Sequence, residues 1–146
     1  MKIISATIEN IDQLVPLFDK YRIFYKQSSD PEAARKFLTE RLNKKESVIF
    51  IAVDTHKNVL GFTQLYPVFS SVSLQRAYIL NDLYVTDKSR GKGIGEALMN
   101  HAKKFAIEKN SKGLTLETHK NNPAQKLYER LGWKKDIHVL HYTWEI

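Results

Sequence analysis

The sequence predicts an α+β fold, a single domain in which helices flank a mixed, mostly antiparallel central sheet. The chain has 146 residues, of which 42% are hydrophobic and 27% charged, as is usual for one globular domain. Strand-like and helix-like segments alternate along its whole length. No internal repeat, low-complexity stretch or Pro/Ser-rich linker divides the chain, so residues 1–146 are expected to form one domain.

The first third of the chain predicts one strand followed by two helices. Lys2–Ile8 has the composition of a short strand. Asn10, with a glutamine three residues later, predicts a capped helix whose apolar residues keep helical spacing as far as Tyr25. Asp30–Pro31 predicts the second helix start, because aspartate caps helices and proline is tolerated in the first turn.

The rest of the chain predicts mostly strands, separated by two helices. Ser47–Asp54 and Val59–Phe69 flank a polar turn and predict an antiparallel hairpin. The complete predicted order of strands and helices is β-α-α-β-β-β-α-β-α-β-β. The remaining predicted elements are a strand at Ala77–Val85, a helix from Ile94 to Phe105, a strand at Leu114–Thr118, a helix that starts at Asn122–Pro123 and ends at Gly132, and a final strand at Ile137–Ile146.

The positive charge is concentrated in one third of the chain. The chain has 23 basic and 16 acidic residues, a formal net charge of +7. Residues 88–135 hold 12 basic and 4 acidic residues, a net charge of +8, so the remainder carries −1. This distribution favours binding of one compact polyanion over a basic footprint on nucleic acid.

Several classes of site and location are not expected. The chain has no cysteine, which excludes a thiolate metal site and a cysteine nucleophile, and no metal is predicted. Apolar runs such as Val48–Val53 are too short to span a membrane, and the first residues lack the long apolar stretch of a secretion signal. A cytoplasmic protein is therefore expected.

A glycine-rich loop at residues 90–95 (Arg-Gly-Lys-Gly-Ile-Gly) joins a predicted strand to a predicted helix. Glycines leave backbone N–H groups uncovered, and a helix N-terminus attracts negative charge, so the loop could bind a pyrophosphate. The alternative is a turn that only connects the two elements. The P-loop pattern is absent, and the dinucleotide pattern G-x-G-x-x-G fails because its third glycine falls on Glu96 or Leu98.

Two segments resemble the GCN5-related N-acetyltransferases (GNAT). Residues 90–95 match the R-x-x-G-x-G/A signature of that family, and residues 79–85 resemble the strand before it. Residues 121–133 are similar to the family segment N-x-x-A-x-x-L-Y-x-x-x-G-[FW]. The resemblance extends over nearly the whole chain and implies a GNAT-like N-acetyltransferase domain at residues 1–146, with acetyl-coenzyme A as co-substrate.

The resemblance implies a role for each matching residue. Backbone groups of Leu83 and Val85 would pair with the pantetheine arm, the glycine-rich loop would bind the pyrophosphate, and Asn121 would hold the pantetheine. Tyr128 would protonate the leaving thiolate, although its helical spacing also fits a core residue. The residues expected to bind the coenzyme are Leu83, Tyr84, Val85, Arg90, Gly91, Lys92, Gly93, Ile94, Gly95, Glu96, Asn121 and Lys126.

The base that accepts the amine proton is expected to be Asp82. A carboxylate bound by backbone N–H groups at a bulge is the alternative, and His119 is a second candidate base. Polyamine acetyltransferases of the family carry two acidic residues at this pair, whereas the first residue here is Asn81. This departure weakens both the assignment of the base and a polyamine acceptor.

The acceptor side is predicted to include Tyr21, Tyr25 and Asn81. Tyr21, Phe24 and Tyr25 could bind an amine through cation–π contacts or pack helix against sheet. The expected activity is direct acetyl transfer to a primary amine of a small molecule. The alternatives are a protein or peptide acetyltransferase, a non-catalytic coenzyme A sensor and a nucleic-acid-binding module. The resemblance leaves room for a homodimer.

Overall fold

Five strands form one sheet, and four α-helices pack on it, in the computed structural model, which describes residues 1–146. The strands lie in the order β1-β2-β3-β4-β5, and all neighbours are antiparallel except β4 and β5, which are parallel. This arrangement confirms the predicted α+β class. The elements are β1 (Lys2–Ser5), α1 (Ile11–Phe24), α2 (Pro31–Asn43), β2 (Val48–Val53), β3 (Val59–Ser70), β4 (Gln75–Val85), α3 (Ile94–Glu108), β5 (Leu114–Thr115) and α4 (Gln125–Arg130).

Helices cover both faces of the sheet because its middle strands are apolar on both sides. In β2, Ile49 and Ile51 pack in the core that includes α1 and α2. Phe50 and Ala52 point the other way and pack in the core that includes α3. The uninterrupted apolar run of β2 is the pattern expected of a strand buried on both faces. None of the helices has both the length and the hydrophobicity that a membrane-spanning helix requires.

The two predicted helix starts differ in how well they agree with the structure. Asp30 caps α2 as predicted, because its carboxylate accepts a hydrogen bond from the amide of Ala33 at 3.0 Å. The first helix is preceded by a short 3-10 turn that Thr7 caps; Asn10 occupies the N-cap position of α1, as predicted, but its side chain makes no capping hydrogen bond to that helix. Asn10 takes part in the cap of the 3-10 turn by accepting a hydrogen bond from the Thr7 amide at 2.9 Å. Residues 6–8 therefore belong to the approach to the helix, and β1 is shorter than predicted.

A β-bulge interrupts the pairing of β3 with β4. Gln64 lies opposite Asp82, but the next residue of β3, Leu65, lies opposite Leu80. Asn81 is thus an extra residue in β4. An extra residue reverses the alternation of side chains between the two faces of a strand.

This reversal sends Asp82 toward the helices α1 and α2. Before the bulge, Tyr78 and Leu80 pack in the core beneath α3. After the bulge, Tyr84 packs in the opposite core, with α1 and α2. Asp82 shares the face of Tyr84 because the two residues are two positions apart in the same strand.

The strands β4 and β5 separate after two paired positions. Tyr78 pairs with Leu114 and Ile79 pairs with Thr115. The edge of β4 from Leu80 onward has no neighbouring strand on that side, and a cleft opens there. The predicted strand at residues 114–118 is therefore shorter than expected.

The predicted final strand at residues 137–146 is wrong, because this segment forms no helix or strand. Its alternating apolar side chains fit a strand, but strands form only where an edge is available for pairing. Here the large side chains face solvent, with Tyr142 84% and Trp144 85% exposed. A polar contact between His141 Nδ1 and Glu117 Oε1 at 3.2 Å joins the segment to the rest of the molecule.

Candidate active site

A cleft of about 520 Å³ lies where β4 and β5 separate. Its walls come from the edge of β4, the glycine-rich loop with the start of α3, the segment that contains α4, and the end of α1. Most residues predicted for the site from the sequence line this cleft. They are Tyr21, Tyr25, Asn81, Leu83, Tyr84, Val85, Arg90, Gly91, Gly93, Ile94, Gly95, Glu96 and Tyr128.

The other predicted residues do not line the cleft; they are Asp82, Lys92, Asn121 and Lys126. Asn122, the neighbour of Asn121, lies in the wall instead. Its side chain accepts a hydrogen bond from the Ala124 amide at 2.9 Å and donates one to Thr118 Oγ1 at 2.8 Å. His119, the second candidate base, is also absent from the lining.

The glycine-rich loop has the backbone geometry of an anion site. Gly91 and Gly93 have φ angles of 72° and 76°, which favour glycine over other residues. The first intrahelical bond of α3 runs from the amide of Ala97 to the carbonyl of Gly93, so the preceding amides lack partners within the helix. These amides and the helix dipole can bind a phosphate group.

Arg90, the first residue of the glycine-rich loop, is held in place by two contacts. Its Nε donates a hydrogen bond to the carbonyl of Val85 at 3.2 Å, and its guanidinium lies 2.9 Å from the carboxylate of Asp87. Its charge is therefore partly compensated locally. The capacity of the loop to bind an anion therefore rests chiefly on its backbone amides.

Tyr128 packs against the core beneath α3 and also lines the cleft, so its position is compatible with both interpretations considered from the sequence. Burial raises the pKa of the Tyr128 phenol, with a smaller contribution in the same direction from Tyr25, whereas Thr118 lowers it. A phenol with a raised pKa stays protonated at neutral pH and can act as a proton donor.

Asp82 lies in a polar pocket beneath the cleft wall and is only 2% exposed. Its two carboxylate oxygens accept hydrogen bonds from Gln64 Nε2 at 2.5 Å and Asn81 Nδ2 at 2.8 Å. Burial raises the pKa of Asp82, and the hydrogen bonds from Gln64, Asn81 and Tyr21 oppose this increase. The alternative considered from the sequence was a carboxylate bound by backbone N–H groups at a bulge. The bulge is present, but the hydrogen bonds to the Asp82 carboxylate come from the side-chain amides of Gln64 and Asn81.

Tyr21 connects the buried carboxylate to the cleft. Its hydroxyl donates a hydrogen bond to the carbonyl of Asn81 at 3.2 Å and lies close enough to Asp82 for the carboxylate to raise its pKa further, beyond the effect of burial. Its ring packs against the core, and its centroid lies 5.0 Å from that of Tyr25. Phe24 and Tyr25 are exposed at the cleft rim.

Sequence reasoning missed several residues of the cleft wall. Arg130, in α4, forms an ion pair with Glu96 of α3 at 2.8 Å and so bridges two walls. Its position two residues after Tyr128 in the same motif was the available signal. The wall residues Asn122, Pro123 and Ala124 lie in the same motif, whereas Leu116, Glu117 and Thr118 precede it and had no such signal.

The chain belongs to the acetyltransferase (GNAT) family, whose model matches residues 12–133. The matched range includes the glycine-rich loop and Tyr128. The protein is therefore an acetyltransferase, and its family generally uses acetyl-coenzyme A. No group of three or more His, Asp or Glu side chains is placed to hold a metal ion.

Similar proteins include both sequences and solved structures. The uncharacterized N-acetyltransferase YhfO of Bacillus subtilis is 47% identical over 97% of this chain and 95% of its own length. The crystal structure of a probable acetyltransferase has a TM-score of 0.95 and 46% identity, covering 100% of this chain and 98% of that one. The D-amino-acid N-acetyltransferase HPA3 of Saccharomyces cerevisiae is 28% identical over 92% of this chain and 87% of its own.

Proposed function

We propose that this enzyme transfers the acetyl group of acetyl-coenzyme A directly to a primary amine of a small-molecule acceptor. The observation that carries the proposal is the cleft, in which the glycine-rich loop, the open edge of β4, the Tyr128 side chain and the aromatic end of α1 meet. The chain has no cysteine that could carry the acetyl group between two steps. Direct attack by the amine is therefore favoured.

Acetyl-coenzyme A fits the two parts of the cleft in different ways. The unpaired backbone amides of Gly93–Glu96 suit its pyrophosphate. The unpaired edge of β4 at Leu83–Val85 suits the amide groups of its pantetheine arm. The bound co-substrate would supply the activated thioester for transfer.

Side chains of this protein would move two protons during transfer. The amine nitrogen attacks the thioester carbon and the carbon–sulfur bond breaks. The amine proton passes to the carboxylate of Asp82, and Tyr21, which borders both the cleft and the carboxylate, would relay it directly or through water. The hydroxyl of Tyr128 donates its proton to the leaving sulfur.

A small-molecule acceptor is supported by the cleft and by one relative. Tyr21 and Tyr25 form an aromatic wall that can bind an ammonium group before it loses its proton. HPA3, whose name describes acetylation of D-amino acids, matches over 92% of this chain. An amino group on a small molecule is therefore preferred over a protein lysine or N-terminus.

The proposal is tested by screening amines, amino acids, amine-bearing antibiotics and peptides with acetyl-coenzyme A. Coenzyme A release can be followed with a thiol reagent, and the chain gives no background because it has no cysteine. We expect turnover with at least one small amine. Turnover with peptides alone would support the protein-acetylating alternative, and binding of acetyl-coenzyme A without turnover on any amine would support a sensor.

Asp82→Asn is expected to lower turnover most at the lowest pH values at which Asp82 is still ionised, because the free amine is scarce there and a base is most needed. Burial raises the Asp82 pKa, so protonation favours the folded state, and that stabilisation is lost as pH rises through the folded pKa. The variant should therefore remain folded at neutral pH. Turnover across pH 6 to 10 and thermal melting measure both effects. Unchanged kinetics would exclude Asp82 as the base.

We also propose that the enzyme forms a homodimer through residues 137–146. This segment exposes apolar side chains in strand-like alternation, and the far edge of β5 has no neighbouring strand. A cavity of about 420 Å³ beside β5 is lined by Lys103, Lys112 and Lys134. The segment carries Glu145, so its charge complements the cavity, and exchange of such a segment between two chains is a low-cost route to dimers.

Cysteine cross-linking tests this dimer, because the chain has no cysteine of its own. Thr115→Cys, in β5, and Thr143→Cys are prepared as separate proteins, mixed and oxidised. A covalent dimer that contains one chain of each variant is expected. A monomeric protein by sedimentation, together with a disulfide formed only within a chain that carries both changes, would show that the segment pairs with its own β5.

A further inference from the structure

Gln64, in the neighbouring strand β3, donates a hydrogen bond to the buried carboxylate of Asp82. Gln64 lies directly opposite Asp82 in β3, next to the bulge, and its side chain is completely buried. Its Nε2 donates a hydrogen bond to Asp82 Oδ2 at 2.5 Å and also lies 3.1 Å from the hydroxyl oxygen of Tyr66. A hydrogen bond from an amide donor to an ionised carboxylate is charge-assisted and therefore stronger than one between neutral groups.

In the observed orientation of the Gln64 side-chain amide, the nitrogen has hydrogen-bond partners and the oxygen has none. Gln64 Oε1 is buried and has no hydrogen-bond partner. A buried polar atom without a partner is destabilising. Turning the amide over would place Oε1 against the Asp82 carboxylate, where two acceptors would repel each other, so the ionised carboxylate favours the observed orientation.

We propose that Gln64 is a positioning residue, which fixes the orientation of the Asp82 carboxylate and stabilises its ionised form for accepting the amine proton. This inference rests on the proposed role of Asp82 as the base. The bulge explains the requirement for Gln64. It turns Asp82 from the face covered by α3 to the face covered by α1 and α2, where a buried carboxylate needs hydrogen-bond donors to remain charged.

Gln64 and Asn81 serve different oxygens of Asp82, because Asn81 Nδ2 donates to Oδ1 at 2.8 Å and Gln64 Nε2 donates to Oδ2. The titratable neighbours are Tyr21 of α1 and Tyr66 of β3; burial and the negative charge of Asp82 raise the pKa of both. Arg41 of α2 acts on Tyr66 in the opposite direction. Both phenols remain neutral, and the hydroxyl of Tyr21 is shared, because the backbone carbonyl of Asn81 accepts a hydrogen bond from it at 3.2 Å while it also lies close to Asp82.

Gln64→Met tests the inference, because methionine has a similar shape and no donor. The hydrogen bond to a charged group contributes enough that its loss should raise the Asp82 pKa by about one to two units. The midpoint of turnover against pH should move by the same amount toward alkaline pH. At one pH unit below the original midpoint, turnover should fall by roughly tenfold or more.

Thr63→Val is the matched control. Thr63 is equally buried in β3, and its hydroxyl donates to the backbone carbonyl of Asp82 at 2.8 Å rather than to the carboxylate. This change should affect stability without moving the pH profile. If Gln64→Met does not fold, Gln64→Asn replaces it, because the shorter amide withdraws the donor while keeping a polar group.

Two readouts distinguish failure of this inference from failure of the proposed base. The first is the Asp82 pKa from carbon NMR of the carboxyl group, and the second is the pH profile of turnover. An Asp82 pKa that is unchanged in Gln64→Met overturns the role of Gln64. A shift seen by NMR without a shift of the turnover profile shows that Gln64 holds a carboxylate that does not accept the amine proton, which refutes Asp82 as the base.

Discussion

Turnover of Tyr128→Phe is expected to fall by about 10²–10⁴-fold, because the change removes the proton donor for the leaving sulfur. The phenylalanine ring keeps the packing against the core beneath α3, so the melting temperature should barely move. Affinity for coenzyme A should change little, since at most one hydrogen bond to sulfur is lost. Steady-state kinetics, thermal melting and calorimetric titration of coenzyme A measure the three quantities.

A purely structural role for Tyr128 would give the opposite pattern. The melting temperature would then fall, while the rate per folded molecule stayed near that of the parent. Turnover within about threefold of the parent corresponds to under ~1 kcal/mol of activation barrier and would exclude the proton-donor role. Tyr142→Phe is a suitable control, because that side chain is exposed and lies outside the cleft.

Gly93→Val is expected to abolish binding of acetyl-coenzyme A. Gly93 has a φ angle of 76°, which a β-branched residue adopts only with strain, and its amide lies at the start of α3. Open space surrounds the position of a Cβ atom, so the added side chain would project into the region where a phosphate must approach the backbone. Calorimetric titration, and the increase in melting temperature that the ligand causes, should both show the loss.

Gly132→Val is the control for backbone strain, because it introduces the same strain at a glycine that is not expected to bind the co-substrate. Gly132 has a φ angle of 82° and also has open space around its Cβ position, but it lies outside the cleft. This variant should therefore be destabilised and still bind acetyl-coenzyme A. If Gly93→Val binds as tightly as the parent, the pyrophosphate is held elsewhere.

Features that depend only on neighbouring residues in the sequence could be predicted correctly. Asp30 caps α2 as predicted, and the glycines at 91 and 93 adopt the left-handed conformation that such a loop requires. These features depend on a few neighbouring residues. The strand β2 was equally clear, because burial on both faces requires an uninterrupted apolar run.

Features that depend on distant residues could not be predicted in the same way. The segment 137–146 has the composition of a strand, but whether it pairs depends on an available edge elsewhere in the molecule or in a second chain. The contact of Gln64 with Asp82 joins residues 18 positions apart and depends on the register of β3 with β4. Sequence patterns identified Asp82 as a candidate but gave no indication of its neighbours.

The early separation of β4 from β5 also bears on the solubility of the empty enzyme. Beyond Ile79, peptide groups along one side of β4 face the cleft without a strand partner. Unpaired strand edges promote aggregation, because the edge of another molecule can add to them. A coenzyme seated there would cover the same peptide groups, so it would act as a protective cap during concentration and storage, independently of any catalytic turnover.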